Sequence, residues 1–261
     1  MNKILVTGGS GFIGSALIRR LSQLENTSIL SIDNYSTGRI DNHVQSSTVK
    51  YLHCDTNDIL NHQEILDFNP SIVYHLGEYS RIVSSFDDIE ICQESNGSGT
   101  FQVLEFCRHY DAKLVYAGSS SKFGNYGTDE NLSPYAWWKA KNIELIKNYH
   151  DWWGMDYSIA YFYNVYGPGQ IEHGHMATVI GIFQEQYRQG VALTVVSPGS
   201  QRRDFTHIDD VIDGLTLVGE KGIGDGYLLG TGTNYTLLEI AQAFDCEIEL
   251  IPERRGERFT S

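Results

Sequence analysis

The stretch from Ile4 to Gly14, reading Ile-Leu-Val-Thr-Gly-Gly-Ser-Gly-Phe-Ile-Gly, limits what this chain can fold into more than any other part of it. Three apolar residues make a short buried strand, Gly8, Gly11 and Gly14 break it into a tight turn, and the apolar spacing of Ala16, Leu17 and Leu21 continues as a helix. Glycine here permits positive φ, lets a pyrophosphate approach bare backbone, and allows the helix to close against the strand. The anion would lie at the helix N-terminus, where unpaired N–H groups and the macrodipole favour it. Asp33 closes a second apolar run (Ile29, Leu30, Ile32) at the spacing, about 20 residues on, where a carboxylate holds the adenosine ribose hydroxyls of NAD and repels a 2′-phosphate.

Past Asp33, the polar segment Asn34-Tyr35-Ser36-Thr37-Gly38-Arg39 reads as a loop over the ligand. Strands are expected at Val49–His53, with Asp55 after it, and at Ile72–Leu76, ending at Gly77; a helical pattern runs from Asn57 to Phe68 between them. A helix from about Ser95 to His109, a strand Lys113–Ala117 running into Gly118–Ser121, a loop from Asn125 to Pro134, a long helix from near Tyr135 and a strand Tyr157–Tyr161 follow. This alternation predicts an α/β fold, a doubly wound parallel sheet covered on both faces, with its ligand at the C-terminal strand ends.

Beyond residue 166 the rhythm changes: a helix near Thr178–Gln189, a strand Leu193–Val196 and a turn Gly199–Arg203 open a smaller α/β lobe. A helix from Asp209 to Val218 and a strand Tyr227–Leu229 are expected to return to the main sheet. The expected organisation is a dinucleotide domain over 1–166, rejoined by 204–232, and an interleaved substrate lobe of 167–203 and 233–261 that is short at its C-terminus.

A net charge of −14 and a pI near 5.0 argue against nucleic acid or an anionic membrane as partner, because both need clustered Lys and Arg. No apolar run reaches the length of a membrane span. Cys54, Cys92, Cys107 and Cys246 stand far apart, so free thiols in a reducing cytoplasm are expected rather than disulfides or zinc. His173 and His175 flank a glycine, but without a carboxylate partner they predict no metal site.

Tyr135 and Lys139 lie four apart on a helix, so both side chains leave one face. A tyrosine becomes a usable base when a nearby ammonium and an oxidised nicotinamide stabilise its phenolate. Ser119, at the end of the preceding strand, adds a hydroxyl that can bridge the phenol and a substrate alcohol.

With these residues in place, the sequence resembles the extended short-chain dehydrogenase/reductase family, the NAD-dependent nucleotide-sugar epimerases and dehydratases of UDP-galactose 4-epimerase type. The matching residues are Thr7 to Gly14, Asp33 with its following loop, Ser119, Tyr135 with Lys139, Asn164-Val165-Tyr166-Gly167-Pro168, Arg203-Asp204-Phe205, and Arg254 with Gly256-Glu257. The resemblance implies a Rossmann-type sheet in which Gly8, Gly11, Phe12 and Ile13 hold the cofactor diphosphate and Asp33 its ribose. Asn34, Ser36, Thr37 and Gly38 would border that ribose, and Asp55 with Thr56 the adenine. Leu76 and Gly77, the latter in place of a usual alanine, would lie beside the cofactor, with Asn96 near the nicotinamide. It further implies that Asn164, Arg203 and Arg254 bind the diphosphate of a nucleotide sugar and Glu257 the nucleoside ribose. Outside the resemblance, turn capping by Asn164 and a surface Arg203–Asp204 salt bridge are the ordinary readings. A homodimer through the Tyr135 helix is also implied; Trp137, Trp138, Trp152 and Trp153 near it are either core or partner surface.

The chain departs from the family pattern at His75-Leu76-Gly77-Glu78-Tyr79-Ser80-Arg81, usually His-Leu-Ala-Ala. Glu78, Ser80 and Arg81 either bind an unusual sugar substituent or, for Glu78 and Arg81, form a local ion pair, the latter being the simpler reading. Tyr161 stands where an arginine is frequent, and the loop from Ser119 to Tyr135 is short. Family dehydratases carry Thr-Asp-Glu where this chain has Ser119-Ser120-Ser121, and serine cannot supply their acid and base. What the resemblance leaves is a C4 epimerase: Tyr135 takes the proton of the sugar 4-hydroxyl as hydride passes to NAD, and the ketone turns over and is reduced on its other face. Lys139 would also hold the nicotinamide ribose and Ser119 the alkoxide-like oxygen. The rival readings are a nucleotide-sugar dehydrogenase or reductase, a 4,6-dehydratase, and a non-catalytic NAD or nucleotide-sugar binding protein.

Overall fold

The computed structural model describes residues 2–123 and 130–259, so the expected loop from Asn125 lies outside the described residues as far as residue 129. The chain begins β1 (Asn2–Thr7), α1 (Phe12–Leu21), β2 (Thr27–Asp33), β3 (Val49–His53), α2 (Gln63–Phe68) and β4 (Ile72–His75). It continues with α3 (Ile89–Cys92), α4 (Thr100–Tyr110), β5 (Lys113–Ser119), α5 (Pro134–Trp153) and β6 (Tyr157–Phe162). After β7 (Asn164–Tyr166), α6 (Val179–Gln189), β8 (Leu193–Val196) and β9 (Arg202–His207) come α7 (Ile208–Lys221) and β10 (Gly224–Leu229). β11 (Asn234–Thr236), α8 (Leu237–Gln242) and β12 (Ile248–Ile251) complete it.

Seven strands form one parallel sheet in the order β3-β2-β1-β4-β5-β6-β10. Strand alternation divides its side chains between two cores. Leu5, Ile32, Val73, Leu114 and Tyr116 pack with residues of α4 and α5 such as Val103, Phe106, Ile143 and Ile146. Ile4, Val6, Tyr74, Val115 and Ala160 pack with Leu17 and Ile18 of α1 and Val211 and Leu215 of α7. The chain winds outward both ways from β1 and β4, which opens a crevice above their C-terminal ends.

β10 joins this sheet beside β6, as expected for Tyr227–Leu229. The intervening and following residues build two small sheets, β11-β9-β7 and β12-β8, over a third core that includes Phe183, Leu193, Val195 and Leu237. Two expectations need correction. The turn expected over Gly199–Arg203 ends sooner, because β9 already begins at Arg202 and pairs with both β7 and β11. The helix expected from about Ser95 starts at Ile89 and runs through a π-helical segment, Gln93–Gly99, before α4. Asn142 Nδ2 donates to Asn96 O at 2.7 Å, taking a carbonyl within that segment, and Asn-Gly-Ser-Gly favours helix weakly.

Among the described residues no helix is long and apolar enough to cross a membrane. Cys54, Cys92, Cys107 and Cys246 are all unbridged.

Candidate active site

A cleft of about 840 Å³ runs from the glycine turn along the tops of the parallel strands to the small sheets. At one end, Gly8 follows β1 with φ +69°, and a Cβ there would stand 2.8 Å from Gly77 Cα. A Cβ on Gly14 would stand 2.2 Å from Gly8 O, so the turn closes only with bare backbone. α1 begins after Gly11 with no side chain capping it and no acidic residue in its first turn, which leaves its N-terminal N–H groups and positive dipole end facing the cleft. These features suit a pyrophosphate. Gly77 closes the floor: an added methyl would lie a tight 3.0 Å from both Gly8 N and Thr7 Oγ1.

Asp33, at the end of β2, is buried, with one carboxylate oxygen accepting from Ser10 N at 2.9 Å and the other from Tyr35 N at 2.8 Å. Each oxygen keeps acceptor capacity for a ribose hydroxyl. Asn34, Ser36 and Thr37 line the cleft beside it, whereas Gly38 lies behind the carboxylate; its Cβ would fall 2.6 Å from Asp33 Oδ1. Thr56 lines the cleft, but Asp55 stands behind it, accepting from Asn34 Nδ2 at 2.7 Å and from Asn57 N at 2.9 Å. Burial works against the Asp55 charge, and these hydrogen bonds outweigh it, holding the carboxyl below its usual range. Asn96 is fully buried behind the wall, where its side chain accepts from Tyr79 N and donates to Tyr79 O.

At the other end, Ser133 caps α5 through a bond from Ala136 N to its Oγ at 3.1 Å, and Pro134 starts the helix. Tyr135 and Lys139 thus sit one turn apart, 8% and 4% exposed, both on the cleft with Ser119. Ser119 Oγ accepts from Ser121 Oγ at 2.9 Å and Ser121 N at 3.2 Å, so its own proton is free to donate into the cleft.

Lys139 has a partner that its spacing did not reveal. Its ammonium donates to Ala117 O at 2.6 Å and pairs with Glu78 Oε2, both side chains being almost wholly buried. Glu78 Oε1 accepts in addition from Thr100 Oγ1, Tyr116 OH and Asn142 Nδ2, each at 3.0 Å. The local Glu78–Arg81 ion pair is therefore not formed. Arg81 donates instead through Nε to Met176 O at 2.8 Å and through Nη1 to Ser80 O at 2.9 Å, and it lies within electrostatic reach of Tyr135. Beneath the pair, burial pushes the His75 imidazole down to about 4, so it stays neutral between Thr7 Oγ1 and Thr100 Oγ1.

Toward the small sheets, Asn164, Arg203, Arg254 and Glu257 come together on the cleft wall. Asn164 Nδ2 donates to Asp204 O at 3.1 Å. The Arg203–Asp204 surface pair does not occur: Arg203 binds Glu257 at 2.6 Å in a mostly buried setting, and Asp204 accepts from Thr206, Thr231 and Gly232. Sequence reasoning missed Arg258, which is 5% exposed, lines the cleft and lies within electrostatic reach of Arg203, Tyr135 and Glu257; the crowding of Arg254, Arg255 and Arg258 around one glycine was the available signal. Burial, and then the neighbouring Arg203, push its guanidinium down to about 10. Away from the cleft, His173 does have carboxylate neighbours: ligand atoms of Glu172, His173 and Glu185 fall within 4.8 Å of one another. Arg188 already pairs with both carboxylates at 2.6 Å.

The family model described as "NAD dependent epimerase/dehydratase family" matches residues 4–230. A UDP-glucose 4-epimerase of Mycolicibacterium smegmatis is 31% identical across 98% of this chain and 87% of its own length. UDP-glucuronic acid decarboxylase 6 of Arabidopsis thaliana is 28% identical across 95% of this chain and 77% of its own. The crystal structure of Thermus thermophilus UDP-glucose 4-epimerase in complex with NAD superposes with a TM-score of 0.90 at 28% identity, covering 99% of this chain and 89% of that one. With the glycine turn, the Asp33 carboxylate and the Tyr135–Lys139 helix around one cleft, the chain belongs to the NAD-dependent epimerase/dehydratase family.

Proposed function

We propose that this protein is a nucleotide-sugar C4 epimerase, with Tyr135 as the base. One observation carries the choice within the family: among the described residues, no carboxylate on the cleft is free to act as an acid or base. Asp33 is held by backbone N–H groups, Glu78 by Lys139, Asp88 by the Tyr79 hydroxyl at 2.7 Å and Glu257 by Arg203, while positions 119–121 offer only hydroxyls. Elimination of water needs a proton donor at the leaving hydroxyl and a base at the adjacent carbon; oxidation and re-reduction at C4 need neither.

Gly8, Gly11, Phe12, Ile13 and Asp33 would hold NAD, which would supply a hydride acceptor able to give the hydride back. Tyr135 takes the proton from the 4-hydroxyl and returns it to the same oxygen once the ring has turned its other face for reduction. Ser119 donates to the reacting oxygen with the proton that Ser121 leaves free. Lys139, with two donor directions committed to Glu78 and Ala117 O, keeps one toward the cleft. Arg203 and Arg254 would neutralise the sugar-nucleotide diphosphate. Leaving the ring free to turn over between the two transfers requires that the sugar be held chiefly through the diphosphate.

Incubation with UDP-, GDP- and dTDP-sugars, followed by NMR of C4 stereochemistry, tests the reading. Tyr135→Phe should retain bound NAD and lose roughly 10²- to 10⁴-fold in turnover; an active variant removes Tyr135 as the base. NAD retained through purification without added cofactor separates epimerisation from net oxidation, which must exchange it each cycle. A homodimer is proposed on exposed Phe101 of α4 and Trp137, Trp152 and Trp153 of α5; Phe101→Glu should shift the mass by light scattering from dimer to monomer.

A further inference from the structure

This inference rests on the reading that places Lys139 at the nicotinamide end of the cleft, and it concerns the carboxylate that holds that lysine. Glu78 stands one residue past Gly77 on the cleft wall and accepts from four donors: Lys139 on Oε2, and Thr100 Oγ1, Tyr116 OH and Asn142 Nδ2 on Oε1. The Lys139 ammonium and Asn142 Nδ2 can only donate. The direction of the Thr100 hydroxyl is fixed from further away. Thr7 Oγ1 accepts from Leu76 N at 3.1 Å and Gly77 N at 2.9 Å, so its own proton goes to His75 Nδ1 at 2.8 Å. The neutral His75 ring therefore carries its proton on Nε2 and donates to Thr100 Oγ1 at 3.0 Å, and Thr100 donates in turn to Glu78 at 3.0 Å. An amide or a protonated carboxyl at position 78 would set a donor against these donors, so an ionised carboxylate is the form that this wall accommodates.

The Glu78 and Lys139 side chains are 2% and 5% exposed, so water and salt screen the two charges little. Bonds to Glu78 and Ala117 O leave the ammonium one N–H for the cleft, and the carboxylate offsets its charge. Both effects bear on the cofactor. The nicotinamide ring of NAD is cationic when oxidised and neutral once it has taken up a hydride. An ammonium without a counter-charge would oppose the oxidised ring and leave the reduced one unaffected, which biases the site toward NADH. An ammonium offset by Glu78 has no such bias.

We propose that Glu78 is a positioning residue for Lys139, aiming its remaining N–H into the cleft and cancelling its charge, so that the site keeps its cofactor oxidised between turnovers. A cycle that begins and ends with the oxidised ring is served by that bias. The test reads a ratio. Wild type, Glu78→Gln, Lys139→Met and the double variant are each brought to exchange equilibrium with an excess of equal NAD and NADH. After rapid gel filtration, bound NADH is read by its near-ultraviolet absorbance and total bound nucleotide by chromatography. Contacts made equally with both forms, the ribose hydrogen bond included, cancel in the ratio. Glu78→Gln should raise bound NADH over NAD roughly tenfold, the effect of a unit charge across about 10 Å at an effective dielectric constant near 20. Lys139→Met should lower it by a similar factor, and the double variant should lie within about threefold of wild type.

A Glu78→Gln ratio equal to that of wild type, with Lys139→Met shifted, would overturn the proposal. So would a double variant that keeps the whole Glu78→Gln shift, since the two charges would then not offset one another at the cofactor. A purely structural role for Glu78 predicts no shifts of opposite sign that cancel. If Glu78→Gln does not fold, Lys139→Met and the double variant decide the matter, because removing the carboxylate in that background should again raise the ratio roughly tenfold. No sugar is turned over in this measurement, so it fails separately from the epimerase reading. Absence of conversion across the sugar panel, with the ratios as expected, would end that reading and leave the role of Glu78 standing. Four equal ratios would remove Lys139 from the nicotinamide end and overturn the proposal with it.

Discussion

Replacing Glu78 by alanine isolates the most consequential buried interaction in the cleft. The carboxylate and the Lys139 ammonium are 2% and 5% exposed, and the carboxylate also accepts from Thr100, Tyr116 and Asn142. Glu78→Ala strands a buried cation and removes the acceptor of three neutral donors. Breaking such a pair from one side costs about 3–5 kcal/mol, because the surviving charge stays buried without compensation. At about 2–4 °C per kcal/mol for a chain of this size, the melting temperature should fall by roughly 6–20 °C. The double variant Glu78→Ala/Lys139→Met removes both charges and should recover much of the loss, with a coupling energy of at least about 1 kcal/mol in the cycle. Scanning calorimetry of the four proteins at one saturating NAD concentration keeps ligand linkage constant. A drop under about 2 °C, or strictly additive losses, would refute the view that this pair is buried and mutually compensating.

Gly14→Ala should abolish NAD binding in equilibrium dialysis, because its methyl would meet Gly8 O at 2.2 Å and force the phosphate turn open; wild-type affinity would contradict the cradle. His75 links stability to pH. Burial lowers its folded value from 6.5 to about 4, so the unfolded chain binds the extra proton between those limits. The stability it contributes is complete above pH 6.5 and is lost as the pH falls toward 4, on the order of 3 kcal/mol in all. Urea midpoints across that window should flatten in His75→Gln; an unchanged slope would assign the acid sensitivity to other groups.

The glycine turn, Asp33 and the strands Val49–His53 and Leu193–Val196 were legible because each is specified locally, by special φ, by a fixed offset from the turn, or by an apolar run between polar flanks. β7, β9 and β11 were not, since Asn-Val-Tyr, Arg-Arg-Asp-Phe-Thr-His and Asn-Tyr-Thr carry little strand pattern and become strands only through pairing with one another. Ser119, Tyr135 and Lys139 could be placed from their elements, while the partner of Lys139 could not. Glu78 and Lys139 are 61 residues apart, and only the adjacency of β4 and β5 brings them together. The position of Arg258 likewise depends on a contact 138 residues away, at Ser120.

The order in which the main sheet is filled has a consequence for synthesis. β6 is completed at Phe162, but its outer neighbour β10 ends only at Leu229, after the chain has made its excursion through α6 and β8. Until then the uncharged run Tyr-Ser-Ile-Ala-Tyr-Phe presents an open row of backbone donors and acceptors. A nascent or truncated chain ending near residue 166 would thus carry an adhesive margin that the finished molecule hides, and its natural fate is aggregation.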